Sequence, residues 1–217
     1  RQMLLAGLGA AAVTTGAVFA WRRGWFAGRS LAPGNSIAVL PFANLSEDAA
    51  QVYFSDGLAE EVRATLARNA GLLVMAQTSS SKFRERESDA VSIASQLGVA
   101  YLLDGSVRRS ADSVRIAADL IDVNTGFSRW SQLFERQIDD IFAVQEEIAV
   151  TVSKALATQV APDSFEPAES GGTTNLAAYD AYLHGRSEYD LSADEASERA
   201  ALAQFDAAIA IDPNYAA

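Results

Sequence analysis

The chain has 217 residues, of which 49% are hydrophobic and 21% charged, enough to bury a core of ordinary size and too apolar for global disorder. It contains no cysteine, which removes disulfides, thiolate nucleophiles and thiolate metal sites together. The net charge is -11, and Arg1, Arg22, Arg23 and Arg29 are the only charged residues before position 35, so the remainder is more acidic still and lacks the clustered Lys and Arg that a phosphate-binding face needs.

The chain starts on Arg1 rather than Met and reads as a piece of a longer protein. Met3 to Trp21 carries no charge, and Arg22-Arg23 closes the run. A helix of that length nearly matches a hydrocarbon core of about 30 Å, so residues 1–29 are expected to hold a membrane-spanning helix over residues 3–21. Trp21, Trp25 and Phe26 among arginines suit an interfacial anchor. A buried helix and the apolar region of a signal peptide are the competing readings; the length and the trailing arginines favour the span. By the positive-inside tendency those arginines would keep the residues beyond them in the cytoplasm, although only one flank can be counted.

After Pro33-Gly34 the pattern turns α/β. "SIAVLPF", Ser36 to Phe42, reads as a buried strand. Phe54, Leu58, Val62 and Leu66 recur every four residues and predict a helix packed on that strand, with Glu60, Glu61, Arg63 and Arg68 largely on other faces. Leu72 to Ala76 is a second expected strand, "TSSSKFRERESD" a polar loop, and Val91, Ala94 and Leu97 the apolar marks of a short helix stopped by Gly98. "VAYLLDGSVRR", "SVRIAADLIDV" and "FSRWSQLFER" follow as three strands of an antiparallel meander, with Asn124-Thr125-Gly126 as a turn. Asp139-Asp140 can cap a final helix whose stripe is Ile141, Val144, Ile148, Val152, Ala155 and Leu156. The expected order is β-α-β-α-β-β-β-α over residues 30–160, a two-layer or three-layer α/β domain with a mixed sheet. Residues 161–174 are a linker by composition.

Residues 175–217 contain two helical patterns. Leu183, Gly185, Ala201, Phe205, Ala208 and Pro213 fall near the positions that pack a tetratricopeptide repeat, where small residues let two helices approach and Pro ends the second. About four extra residues separate the helices relative to the 34-residue norm. One such hairpin cannot bury its own apolar face, so further repeats are expected.

Residues 36–160, with "SIAVLPFANLSED", "YFSDGLAEEV", "YLLDGSVRRS", "VRIAADLIDVNTG" and "WSQLFERQIDDIFAVQEEIA", resemble the TolB amino-terminal-like domain of multidomain bacterial proteins. The resemblance implies a domain placed after a transmembrane helix and before tetratricopeptide repeats. It also implies an output module upstream: a class III adenylate/guanylate cyclase, a winged-helix domain similar to CadC, or a protein kinase. By the same resemblance residues 30–217 lie in the periplasm and the anchor in the bacterial inner membrane, against the local arginine count.

No catalytic, cofactor-binding or metal constellation emerges from the sequence. His184 and Glu188 are four residues apart, yet a metal site needs three or four ligands, so a solvated helix face accounts for them. Glu60-Glu61 and Asp139-Asp140 point about 100° apart on a helix and are better explained by capping or solvation than by acid/base work. Ser79-Ser80-Ser81 precedes Lys82 without a nucleophile elbow or a Ser-x-x-Lys spacing. A small ligand near Asn44 or Asp104, at the C-terminal ends of strands, is a weaker possibility. The expected role is non-catalytic sensing or scaffolding: a protein or peptide partner bound by the α/β domain and repeats, no cofactor, no nucleic acid, and an anchor through residues 3–21. The alternative is a fragment of a nucleotide cyclase or winged-helix regulator whose output domain precedes Arg1.

Overall fold

The computed structural model describes residues 32–85, 88–157, 173–190 and 194–215. The expected membrane span over 3–21 and nearly all of the expected linker over 161–174 lie outside them. Among the described residues no helix is long and apolar enough to cross a membrane.

The described residues form one compact unit. Its elements in order are β1 (Ser36–Val39), β2 (Ala43–Asn44), α1 (Val52–Ala67), β3 (Leu73–Val74), α2 (Gln77–Ser80), α3 (Ala90–Leu97), β4 (Tyr101–Arg109), β5 (Ser113–Asp122), β6 (Phe127–Gln137), α4 (Ile141–Ala157), α5 (Leu176–Asp190) and α6 (Glu195–Ile211). The sheet runs β3-β1-β4-β5-β6, with β2 added beside β4. β1 pairs in parallel with both β3 and β4, whereas β4, β5 and β6 form an antiparallel meander, so the sheet is mixed as expected.

One face of the sheet is filled from α1 and α4. Phe54, Leu58, Val62 and Leu66 of α1 and Ile141, Val144, Ile148, Val152 and Leu156 of α4 are all buried against Ile37, Leu103, Val107, Ile116, Leu120 and Phe134. Among the described residues the opposite face is covered only over β1 and the first part of β4, where Ile93 and Ala94 of α3 pack on Ala38, Leu40 and Leu102. The domain is thus three layers deep at one end and two at the other.

Several expectations need correcting. The first strand stops at Val39, and Ala43–Asn44 makes a separate parallel pairing with Ser106 and Val107. The second strand shrinks to two residues. The expected polar loop contains α2 and a 3-10 turn over Ser81–Phe83, because two serine hydroxyls there turn back onto carbonyls three residues earlier. Val91 is exposed, and Ile93, two positions on, joins Ala94 in the core instead. The C-terminal end of α3 behaves as read, with Gly98 at φ 67°, the left-handed stop open to glycine at no steric cost, while Asp89, expected in the polar loop, caps the other end by accepting from the Ser92 amide. Asp139 and Asp140 lie inside a 3-10 turn that leads into α4 rather than at a cap.

Candidate functional site

Glu60 is buried, contrary to the expectation that it faces water, because a second helix covers α1. Tyr53, Gly57 and Glu60 follow one another at helical spacing along α1, and α5 lies over them. A Cβ placed on Gly57 would stand 2.4 Å from Leu183 Cδ2, so this glycine lets α5 approach closely. The Tyr53 and His184 rings stack with centroids 3.7 Å apart. His184, expected on a solvated helix face, is therefore engaged by a ring rather than freely solvated; among the described residues no three His, Cys, Asp or Glu could hold a metal ion.

Charge fixes both ends of this junction. At one end Arg109, from the last position of β4, makes an ion pair of 2.5 Å with Asp180 and lies 4.6 Å above the Phe54 ring. Tyr53 donates to the same Asp180 oxygen at 3.0 Å. Burial, with the Asp180 charge next to it, pushes the Tyr53 phenol up to about 12, so it stays a donor. At the other end Arg186 donates to Gln77 Oε1 at 3.1 Å and approaches Glu60 at 3.5 Å. Glu60 is already held by two bonds from Arg63, of 2.5 and 2.7 Å. Arg84 pairs with Asp56 at 2.6 Å, and burial raises the Asp56 carboxyl above its ordinary value despite that partner. Deeper in the junction Gln145 of α4 donates to the Tyr179 hydroxyl at 2.6 Å, and Phe142 meets the Tyr179 ring edge-on at 5.0 Å.

Tyr53, Asp56, Glu60, Gln77, Arg84 and Arg186 are among the residues that line a cleft of about 260 Å³ between α1 and α5. A narrower crevice of about 30 Å³ adjoins it at the C-terminal end of β1 and shares Asp56, Glu60, Gln77 and Arg84. Asn44 and Asp104, the positions expected near a ligand, lie elsewhere and serve the backbone: Asn44 Oδ1 accepts from the Ser46 amide and Asp104 Oδ1 from the Gly105 amide. Ser80 donates to the Gln77 carbonyl, and Asp139 and Asp140 are exposed.

The structure divides the six hairpin positions. Gly185 faces α6, where its Cβ would meet the Phe205 ring at 2.8 Å and the Ala201 carbonyl at 3.0 Å. Ala201 and Ala208 are buried and Phe205 is half-buried. Leu183 points the other way, into the core of the sheet domain, and Pro213 is exposed just past the helix end. Thr173 donates to Asp212 at 2.5 Å, tying the start of the hairpin to its end. Leu202 (59%) and Ile209 (54%) are exposed on one face of α6, and Ile211 (44%) is exposed at its end.

Sequence reasoning missed the Arg109–Asp180–Tyr53 network, whose members stand up to 127 positions apart and leave no local pattern. Gly57 did carry a signal, since a lone glycine inside a helical stripe costs stability unless something approaches its backbone.

Residues 33–151 match the family model described as HilA/YgeH-like transcriptional regulator, second domain. A protein of Rhizobium meliloti (strain 1021), named provisionally as adenylate cyclase 3, is 38% identical over 182 residues. That stretch is 84% of this chain, and the chain spans only 31% of the relative. Among solved structures, TolB from Acinetobacter baumannii is similar at a TM-score of 0.42 and 19% identity, covering 57% of this chain and 28% of that one. The C-terminal domain of LpoB from Salmonella enterica is similar at 0.39 and 18%, covering 53% and 91%.

Proposed function

The chain belongs to the family of HilA/YgeH-like transcriptional regulator second domains, and from that premise we propose that residues 32–215 are a non-catalytic binding region of a multidomain bacterial signalling protein. In this reading residues 3–21 anchor it in the inner membrane, the α/β domain and hairpin face the periplasm, and a bound protein or peptide is sensed there. The observation that carries the reading is the outer stripe of α6. Leu202 and Ile209, two turns apart, are exposed apolar residues on one face of α6, flanked by Glu195, Glu198 and Asp206, a surface suited to an amphipathic helix with a basic rim. The hairpin itself is read as a tetratricopeptide-like unit, with Gly185, Ala201 and Phe205 at its crossing.

Nucleic acid is not the proposed partner. Arginines at the far end of the sheet are engaged locally: Arg115 with Glu135, Arg136 with Glu147, and Arg108 with the Leu45 carbonyl. Free cationic side chains in a row would be needed to follow a phosphate backbone.

The test is site-specific photo-crosslinking in the native full-length polypeptide in its own cells. A crosslinker at Leu202 or Ile209 should give one discrete protein adduct, weakened by added salt, while one at Leu133 on the sheet should give none. Equal labelling from all three sites, or no adduct at Leu202 and Ile209, overturns the proposal.

A second reading rests on the Rhizobium relative. Its name and 38% identity favour a nucleotide cyclase in which this region regulates a catalytic domain outside residues 32–215. Conversion of ATP to cyclic AMP by the full-length polypeptide, absent from the present chain alone, would support it; an inactive full-length protein would remove it.

A further inference from the structure

We propose that the cleft between α1 and α5 is a binding site for a small zwitterion: a free α-amino acid with an aliphatic side chain. This goes beyond the binding of a macromolecule on α6 and rests on different residues.

The location follows from the sheet. β1 leads into α1 on one face, while β3, its parallel neighbour, leads through α2 into α3 on the other. Connections that part to opposite faces leave a crevice at the strands' C-terminal ends, the place where open α/β sheets receive ligands. Here that crevice is lined by Val39, Leu40 and Pro41, and α5 extends it outward into the larger cleft.

The charge balance sets the class of ligand. Glu60 is satisfied by the fork of Arg63, and Asp56 by Arg84. That leaves one cation and one anion on the α5 wall. Arg186 donates to the neutral Gln77 Oε1 at 3.1 Å and has a carboxylate, Glu60, only at 3.5 Å, while Asp190, four residues on and exposed at the mouth, forms no ion pair among the described residues. Residues four apart on a helix stand about 5–6 Å from each other, a spacing that suits the carboxylate and ammonium of one amino acid. Arg186 would hold the carboxylate, and Asp190 the ammonium. Val52, Gly57 and Leu183 supply an apolar floor. The volume of about 260 Å³ is just under the range of about 300–1,000 Å³ for drug-sized ligands, so a single amino acid is the right scale.

Isothermal titration calorimetry on the full chain in detergent micelles tests this, with L-leucine, L-leucinamide and N-acetyl-L-leucine as probes. L-Leucine should bind, and each blocked form, lacking one charge, should bind at least tenfold more weakly. Asp190→Asn, an exposed substitution that should leave the melting temperature unchanged, should weaken L-leucine about tenfold and leave N-acetyl-L-leucine as it was. Absence of heat with L-leucine, equal affinity for the three probes, or an Asp190→Asn variant that binds L-leucine like the parent would each overturn the assignment. None of these results bears on crosslinking at Leu202 and Ile209.

Discussion

Beneath α1 and α4 the sheet is filled by large aliphatic and aromatic side chains, whereas α5 and α6 meet through Gly185, Ala201 and Ala208. The first region gains stability from buried apolar area, at roughly 25 cal/mol per Å². The second gains it from close approach, and α5 is then oriented on the sheet domain by charge, through Arg109–Asp180 and Arg186–Glu60. A core of large side chains tolerates a lost methylene more readily than a lost face; a crossing built on glycine tolerates no added atom. The two regions should therefore respond to different substitutions.

The largest effect is expected where a charge enters the aliphatic region. Leu58 and Ile148 are both 0% exposed, so Leu58→Asp or Ile148→Asp buries a carboxylate with no partner and should cost more than about 4 kcal/mol. Circular dichroism should show the whole unit, hairpin included, failing to fold. Retained helicity and an unchanged melt would mean that the two regions are not supported by one core.

Next come the glycines, which separate the two kinds of contact. Gly185→Ala meets a backbone atom, the Ala201 carbonyl, as well as the Phe205 ring, so neither rotation nor a small shift relieves it. A cost of about 1–3 kcal/mol is expected. Hydrogen exchange should rise in α5 and α6 while β4 and β5 stay protected. Gly57→Ala meets only the buried Leu183 side chain, at Cδ2, Cδ1 and Cγ, with no backbone atom among its close neighbours, and alanine favours the helix by up to about 1 kcal/mol. That change should cost less than Gly185→Ala. If Gly57→Ala proves the worse of the two in thermal melts, the α1–α5 junction is the rigid one and the comparison must be reversed.

Removing charge at the same junction should have a smaller effect. Asp180→Asn keeps the shape and the bond from Tyr53 while weakening the pair with Arg109, whose side chain is only 16% exposed. A loss of about 1–2 kcal/mol is expected, read as a lower urea midpoint and faster exchange in α5. A variant as stable as the parent would show that apolar contacts alone orient α5.

The aliphatic region was largely legible in the sequence because burial on one face imposes a period, and Phe54, Leu58, Val62 and Leu66 keep it without interruption. Val91 misled because eight residues of α3 give too few turns to separate its face from that of Ile93. The charged junction was hidden for a different reason. Arg109, Asp180 and Tyr53 come from a strand and two helices, and each alone is an ordinary polar residue of an amphipathic element. Leu183 could be assigned to a helix hairpin by spacing, but spacing does not say which neighbour it faces, and it faces Gly57.

The smallest predicted effect concerns Glu61, beside this junction on α1. Burial raises its carboxyl above the ordinary 4.5; repulsion from Glu60 adds to this, and the charges of Arg186, Arg68 and Arg63 oppose it without cancelling it. A carboxyl that binds its proton more tightly when folded favours the folded state in acid, and that advantage fades as pH rises from 4.5 through the raised value. Glu61→Gln removes the titration but keeps the size. Over that window the variant's urea midpoint should change less with pH than the parent's, and above it the variant should be the more stable of the two. If instead the parent gains on the variant as pH rises, the ionised Glu61 is stabilised by the arginines around it, and charge outweighs burial on this side of α1.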